Sequence, residues 1–198
     1  MSWWEASEEI LREMSRAINA IDPGQVETLL DTLLHTKMDG RKALVVGAGR
    51  SGLVGKAFAM RLMHVGIDVY VMGETITPAI GEGDIVIIIS GSGSGAMSTT
   101  AASMAKRLGS LIFAVTSYPD SELAQISDHV IVVPGREVVA EESDYQSRQL
   151  LGEHESLAPM GTLFEDTCAV FLDGLIAELM ARLEISEASM RKKHSTIE

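Results

Sequence analysis

The chain has 198 residues, 46% of them hydrophobic and 22% charged, which suits one domain with a real core and leaves too little for a two-domain enzyme. The formal charge of -12 argues against nucleic acid as a partner, because duplex binding draws on many Lys and Arg contacts to phosphate, and leaves an anionic small ligand compatible only where positive potential is concentrated locally. No apolar run reaches the roughly 18–20 residues of a spanning helix, and the start, MSWWEASEEILREM, is acidic and amphipathic where a secretory signal is basic and then apolar, so a cytoplasmic protein with no membrane partner is expected.

In chain order, the first 38 residues predict two helices punctuated by Pro23 and Gly24. Ile10, Leu11, Met14, Ala17 and Ile18 share a face of the first, and Val26, Leu29, Leu30, Leu33 and Leu34 a face of the second. Short β-branched runs then predict strands over 43–46, 69–72, 85–89, 111–115 and 130–133, alternating with helical patterns. Continuously apolar runs suit parallel strands buried on both faces and joined by crossover helices. The expected class is α/β, a three-layer αβα sandwich around a five-stranded parallel sheet, preceded by N-terminal helices. Residues 135–158 lose hydrophobicity and collect Glu141, Glu142, Asp144, Arg148, Glu153, His154 and Glu155, a long polar connection of the kind that carries function. Helical periodicity returns from Pro159 to about Leu183 through Leu163, Thr167, Phe171, Leu175 and Leu179. The single cysteine, Cys168, falls in that helix, excludes a disulfide framework and a Cys-rich zinc site, and reads as a buried apolar thiol. The polar tail RKKHSTIE closes the chain. One domain is expected over 1–198, with a helical segment 1–38, a core of about 40–185 and a tail 186–198.

Two glycine-rich turns stand out. Gly47-Ala48-Gly49-Arg50-Ser51-Gly52 follows strand one and opens a helix, a literal G-x-G-x-x-G, and Glu74 near the end of strand two stands about where a ribose-binding carboxylate would. Taken alone, this leaves a nicotinamide or flavin dinucleotide as one reading among others. The second turn, Ser90-Gly91-Ser92-Gly93-Ser94-Gly95, lies between strand three and a helix predicted over 97–108. Its small residues let backbone N–H groups converge, its serines add hydroxyls, and the helix N-terminus adds partial positive charge, which together suit a phosphate monoester. A dinucleotide enzyme keeps its phosphate-binding glycines on the first strand and needs further chain for its substrate; this chain is too short for that.

The pair of turns, G-x-G-x-S-G and S-G-S-G, resembles the sugar isomerase (SIS) domain. Longer stretches narrow the resemblance: GAGRSGLVGKAFAMRLMHVGIDVYVMGET at 47–75, ISGSGS at 89–94, LAPMGTLFE at 157–165 and FLDGLIAELM at 171–180 are similar to the 6-phospho-3-hexuloisomerases, also called 3-hexulose-6-phosphate isomerases. The likeness runs from about residue 40 to the end, including the RKKH of the tail. It implies interconversion of D-arabino-hex-3-ulose 6-phosphate and D-fructose 6-phosphate through a cis-enediol, in the ribulose monophosphate route of formaldehyde handling. It further implies no metal or redox cofactor, and a homotetramer with sites at subunit interfaces. In one departure, the family follows SGSG with a longer residue and a threonine where this chain has Ser94 and Gly95; Ser94, Ser98 or Thr99 would have to supply that hydroxyl.

Moving a carbonyl from C3 to C2 needs a phosphate anchor, a base at the C2–C3 edge, and a group that polarises the carbonyl or shuttles protons between oxygens. The anchor is assigned to Ser51, Ser90 and Ser92 with backbone groups of Gly49, Gly91, Gly93 and Ser94. Arg50 at the mouth of the first turn either holds the phosphate or a sugar hydroxyl or pairs with a surface acid, and Glu74 and Thr75 after strand two complete the candidate sugar-binding set. Glu165 is the first candidate base, with a helix N-terminal carboxylate as its ordinary reading; Glu153, beside His154, is the second. By the resemblance, His64 and His194 are catalytic candidates, His194 in a neighbouring subunit. His35, His129 and His154 read as structural or solvated. Apolar surface on the terminal helices, with Trp3 and Trp4 at an end that would otherwise expose them, predicts a homo-oligomer. A noncatalytic phosphosugar-binding module and a dinucleotide-dependent oxidoreductase are the competing readings.

Overall fold

A computed structural model of the chain describes residues 2–135, 158, 159 and 161–194. Helix α1, Trp3–Asn19, starts at a reciprocal cap in which the Ser2 hydroxyl accepts from Glu5 N and the Glu5 carboxylate accepts from Ser2 N. Helix α2, Pro23–Met38, starts on an Asp22 cap with Pro23 in its first turn, where the missing N–H costs nothing. The alternating part follows as β1 Lys42–Gly47, α3 Gly49–His64, β2 Asp68–Val71, β3 Ile85–Ile89, α4 Ala96–Arg107, β4 Leu111–Thr116, α5 Glu122–Ile126 and β5 His129–Val132. The chain closes with α6, Thr162–Arg182, and a short α7, Glu187–Arg191. Each strand falls within two residues of its predicted bounds. Helix α7 lies in the expected polar tail: Ser186 caps it and the buried Met190 anchors it to the core.

The five strands pair in the order β2-β1-β3-β4-β5, all parallel. Alternate residues of a strand point to opposite faces, so an unbroken apolar run fills two cores at once. Ile85, Ile87 and Ile89 of β3 join α2, α3 and α6 on one face, while Val86 and Ile88 join α4 and α5 on the other. The predicted α/β three-layer sandwich is the observed one. Asp84 ties the N-terminal edge of the sheet: its buried carboxylate accepts from Lys42 N and Gly81 N, both at 2.9 Å, and lies 3.4 Å from Lys42 Nζ.

The strand order reverses direction between β1 and β3, and ligands of open parallel sheets bind outside the carboxyl ends of the strands at such a switch point. Both glycine turns sit there. At the other extreme, α1 buries none of its residues and packs on α6 alone among its larger contacts. Its Trp3 and Trp4, 78% and 56% exposed, meet edge to face at 5.8 Å. Among the described residues no helix is long and apolar enough to cross a membrane.

Candidate active site

The first turn folds as it does because its glycines let backbone lie on backbone: a Cβ on Gly47 would stand 2.8 Å from Ser51 O, and one on Gly52 2.7 Å from Gly47 O. The close turn brings α3 to the sheet with Ala48 at its N-cap and no side chain capping it. Helix α4 likewise begins behind Gly95 with no side-chain cap. Uncapped first turns leave N–H groups and the positive end of each helix dipole available to an anion.

Between these two helix starts lies a cavity of about 760 Å³, within the range that holds a small metabolite. Ser51 lines it from α3, Ser90, Gly91 and Ser92 from the second turn, and Glu165 from α6. These are residues that the sequence marked, brought together from three segments. Ser98, on the first turn of α4, also lines it, whereas Thr99 does not and its hydroxyl lies 3.4 Å from Ala96 O. Among the described residues the hydroxyls of Ser51, Ser90 and Ser98 form no hydrogen bond, and all three residues line the cavity. Gly49, Gly93 and Ser94 shape the turns without lining the cavity: Gly49 and Gly93 take positive φ, and Ser94 N donates to the Ser92 hydroxyl at 3.4 Å.

Glu165 sits in the first turn of α6 with its side chain 14% exposed. Arg50 Nε lies 3.1 Å from Glu165 Oε2, an ion-pair contact without hydrogen-bond geometry, and that buried oxygen has no hydrogen-bond partner among the described residues. Burial pushes the Glu165 carboxyl above the usual carboxylate range, Asp166 adds to the rise, and Arg50 opposes it. A carboxylate so placed accepts a proton more readily than one in water. Cys168 is fully buried, and burial, reinforced by the Glu165 charge, pushes its thiol far up, as the apolar reading requires.

The other marked residues lie elsewhere. Arg50 spends its guanidinium on α6 and is outside the cavity lining. Glu74 pairs with Lys56 Nζ at 2.7 Å and lines a separate hollow of about 230 Å³ along α3 and β2; Thr75 is exposed beside it and lines neither. The carboxylate that the dinucleotide reading needs is therefore not in the same cavity as the glycine turn. His64 is buried in the last turn of α3, 15 residues from Gly49 at the cavity end, or roughly 22 Å at 1.5 Å per residue. It stacks on His194 with ring centroids 5.4 Å apart. His129 stacks on Phe113, and the His35 ring bonds Asp31 O. Glu153 and His154 lie outside the described residues.

Among the wall residues that sequence reasoning missed are Gly161 and Phe164 at the start of α6 and Ser117 and Tyr118, which follow β4. The latter two carry no glycine signature; the signal available was that β4 neighbours β3, so its carboxyl end opens on the same edge.

With this geometry in view, the sequence pattern of the SIS domain matches residues 38–146. The chain belongs to the SIS domain family. An uncharacterised protein from Aeropyrum pernix is 54% identical, over 96% of this chain and 90% of its own length. The 3-hexulose-6-phosphate isomerase of Bacillus subtilis is 35% identical, over 96% of both chains. A solved structure from Methanococcus jannaschii, described as inferring a 3-hexulose-6-phosphate isomerase function, is 33% identical, covers 98% of this chain and 97% of its own, and has a TM-score of 0.75. The resemblance read from the glycine turns and the longer motifs thus holds across the whole length.

Proposed function

We propose that this SIS chain is a 6-phospho-3-hexuloisomerase, interconverting D-arabino-hex-3-ulose 6-phosphate and D-fructose 6-phosphate. The observation that carries the reading is the pairing, in one cavity, of two uncapped helix starts lined with free serines and a buried Glu165 oxygen that accepts no hydrogen bond from the described residues. The relatives named 3-hexulose-6-phosphate isomerase at 34–36% identity support it.

The phosphate lies against the second turn, held by Ser90, Ser92 and Ser98, by the backbone N–H groups of Gly91, Ser92 and Gly95, and by Ser51 from the opposite helix. Its two negative charges are met by the dipoles of α3 and α4. That end fixed, the sugar runs toward α6. Glu165 takes the proton from C2 of the hex-3-ulose, the electron pair forms the C2–C3 double bond of a cis-enediolate, and the proton returns at C3 while the carbonyl forms at C2. The raised proton affinity of Glu165 suits both halves of the exchange.

Oxygen-to-oxygen proton transfer needs a second group. His64 and His194 form the candidate pair, and since they lie at the far end of α3 they act in the cavity of a second copy. A homotetramer with shared sites, in the cytoplasm, completes the reading; the exposed Trp3 and Trp4 and the exposed Leu53, Met60 and Met63 along α3 supply apolar surface for assembly. The reaction's place is the ribulose monophosphate route of formaldehyde handling.

The test is fructose 6-phosphate in deuterated water with the purified protein, followed by NMR. Deuterium at the exchanging carbon together with a new 3-ulose species is the expected result. Tight phosphosugar binding with no exchange would overturn the isomerase and leave a noncatalytic phosphosugar-binding module.

A further inference from the structure

Arg50 reaches from the first turn of α3 to the first turn of α6, more than a hundred residues later in the chain. Its guanidinium is used on every nitrogen: Nε lies 3.1 Å from Glu165 Oε2, Nη1 donates to Thr162 Oγ1 at 3.1 Å, and Nη2 donates to Asp166 Oδ1 at 3.3 Å. A planar fork matched in this way to one helix turn is a committed group. Both carboxylates and the Thr162 hydroxyl draw it toward α6, away from the cavity lining. On the other side of Glu165, Gly161 has no side chain and takes a φ of 85°, which lets its backbone lie directly against the carboxyl oxygens.

We infer that Arg50 is a positioning residue for Glu165: with Thr162 and Asp166 it clamps the start of α6 so that Glu165 is held in the cavity wall with its charge balanced from the buried side. This goes beyond the isomerase reading and rests on it for the role of Glu165. The Arg50 contact falls on the buried oxygen of the carboxyl group, Oε2, and balances its charge there.

The described charged and titratable groups that act on Glu165 are Arg50 from α3 and Asp166 and Cys168 from α6. Of these Arg50 alone favours the charged carboxylate, against burial and Asp166. Its removal therefore moves the Glu165 titration upward, whatever Glu165 does in catalysis.

The experiment is a carboxyl ¹³C NMR titration of Glu165 in the wild type, Arg50→Gln and Arg50→Lys, with Glu165→Gln supplying the assignment, alongside pH profiles of kcat/KM. Expected in Arg50→Gln are an upward move of the Glu165 titration and of the acid limb of kcat/KM. A neutral-pH kcat lowered about 10-fold or more accompanies them, with KM for fructose 6-phosphate within about 3-fold. Arg50→Lys, which keeps the charge and loses the fork, recovers part of the move in the limb. A Glu165 titration that stays in place in both variants overturns the inference. So does a KM raised about 10-fold or more with the acid limb unmoved, the behaviour of a phosphate ligand. Wild-type kcat in Glu165→Gln would instead remove Glu165 as the base, and the carboxyl titration would still decide the role of Arg50.

Discussion

Gly161 lies so close to Glu165 that a Cβ on it would stand 2.9 Å from Oε2 and 3.1 Å from Oε1. The carboxylate occupies space that any other residue would fill. Gly161→Ala is therefore expected to push the carboxyl group off its position and lower kcat about 100-fold, the scale of a misplacement near 1 Å. KM for the phosphosugar, set at the far end of the cavity, should hardly change. The positive φ adds a stability cost of about 1–2 kcal/mol, so kinetics and thermal denaturation are measured together. A variant that is less stable yet catalyses at the wild-type rate would contradict the relationship.

The direction of the Glu165 shift fixes a pH dependence. Burial raises its proton affinity, so the active ionised form is depleted at a pH where an ordinary glutamate, near 4.3, remains charged. The acid limb of kcat/KM should lie above that value and vanish in Glu165→Gln, where a general-base loss of about 100-fold or more is expected. A rate profile flat down to the ordinary carboxylate range would show that Glu165 does not titrate in the rate-determining exchange.

The separation of the histidine pair from the cavity makes a mixing experiment informative. If a second copy's His64 and His194 complete the site, Glu165→Gln and His64→Ala are each inactive alone. Refolded together, they form some sites with an intact set from two chains and regain a fraction of the wild-type rate. Mixed chains as inactive as either parent would overturn the shared site, and wild-type activity in His64→Ala alone would place the histidines outside the chemistry.

Asp84 supplies a stability test away from the site. Burial raises its pKa, but the Lys42 and Gly81 N–H groups and the Lys42 ammonium outweigh that, and the net value is lowered. A depressed folded-state value contributes stability that is fully present above the unfolded aspartate pKa of about 3.9 and is lost as pH falls through the lower folded value. Asp84→Asn should cost about 2 kcal/mol at pH 7 by urea denaturation, and the difference from wild type should narrow below pH about 3.9. A gap that stays constant down that range would mean that the carboxylate charge contributes nothing.

The strands were legible because they are buried on both faces: IVIII in β3 has to be apolar at every position, and a run that is β-branched throughout and only five residues long suits a buried strand far better than a helix. The wall residues Ser51, Ser90, Ser92 and Glu165 were legible for a related reason, since parallel strands gather every β-to-α turn at one edge. What escaped were relationships across distance. Nothing near Arg50 in sequence announces Thr162 or Asp166, which lie 112 and 116 residues away, so its commitment to α6 could not be separated from a phosphate contact. Ser117 and Tyr118 escaped because a strand end without glycine has no local mark. His64 and His194 were singled out by resemblance, but only the folded chain shows that the end of α3 and the C-terminal segment bring their rings together.

The edge-to-face pair at the start of α1 gives the molecule an optical property. Trp3 and Trp4 are the only tryptophans in the chain, both stand largely in solvent, and neither lines the cavity. Intrinsic tryptophan emission is then a readout of one place: red-shifted and open to iodide quenching while α1 is bare, and blue-shifted and protected once another surface covers it. A titration with phosphosugar would leave that signal still, whereas a dilution series would move it if chains associate through α1, so occupancy of the cavity and such an association can be told apart in the same cuvette.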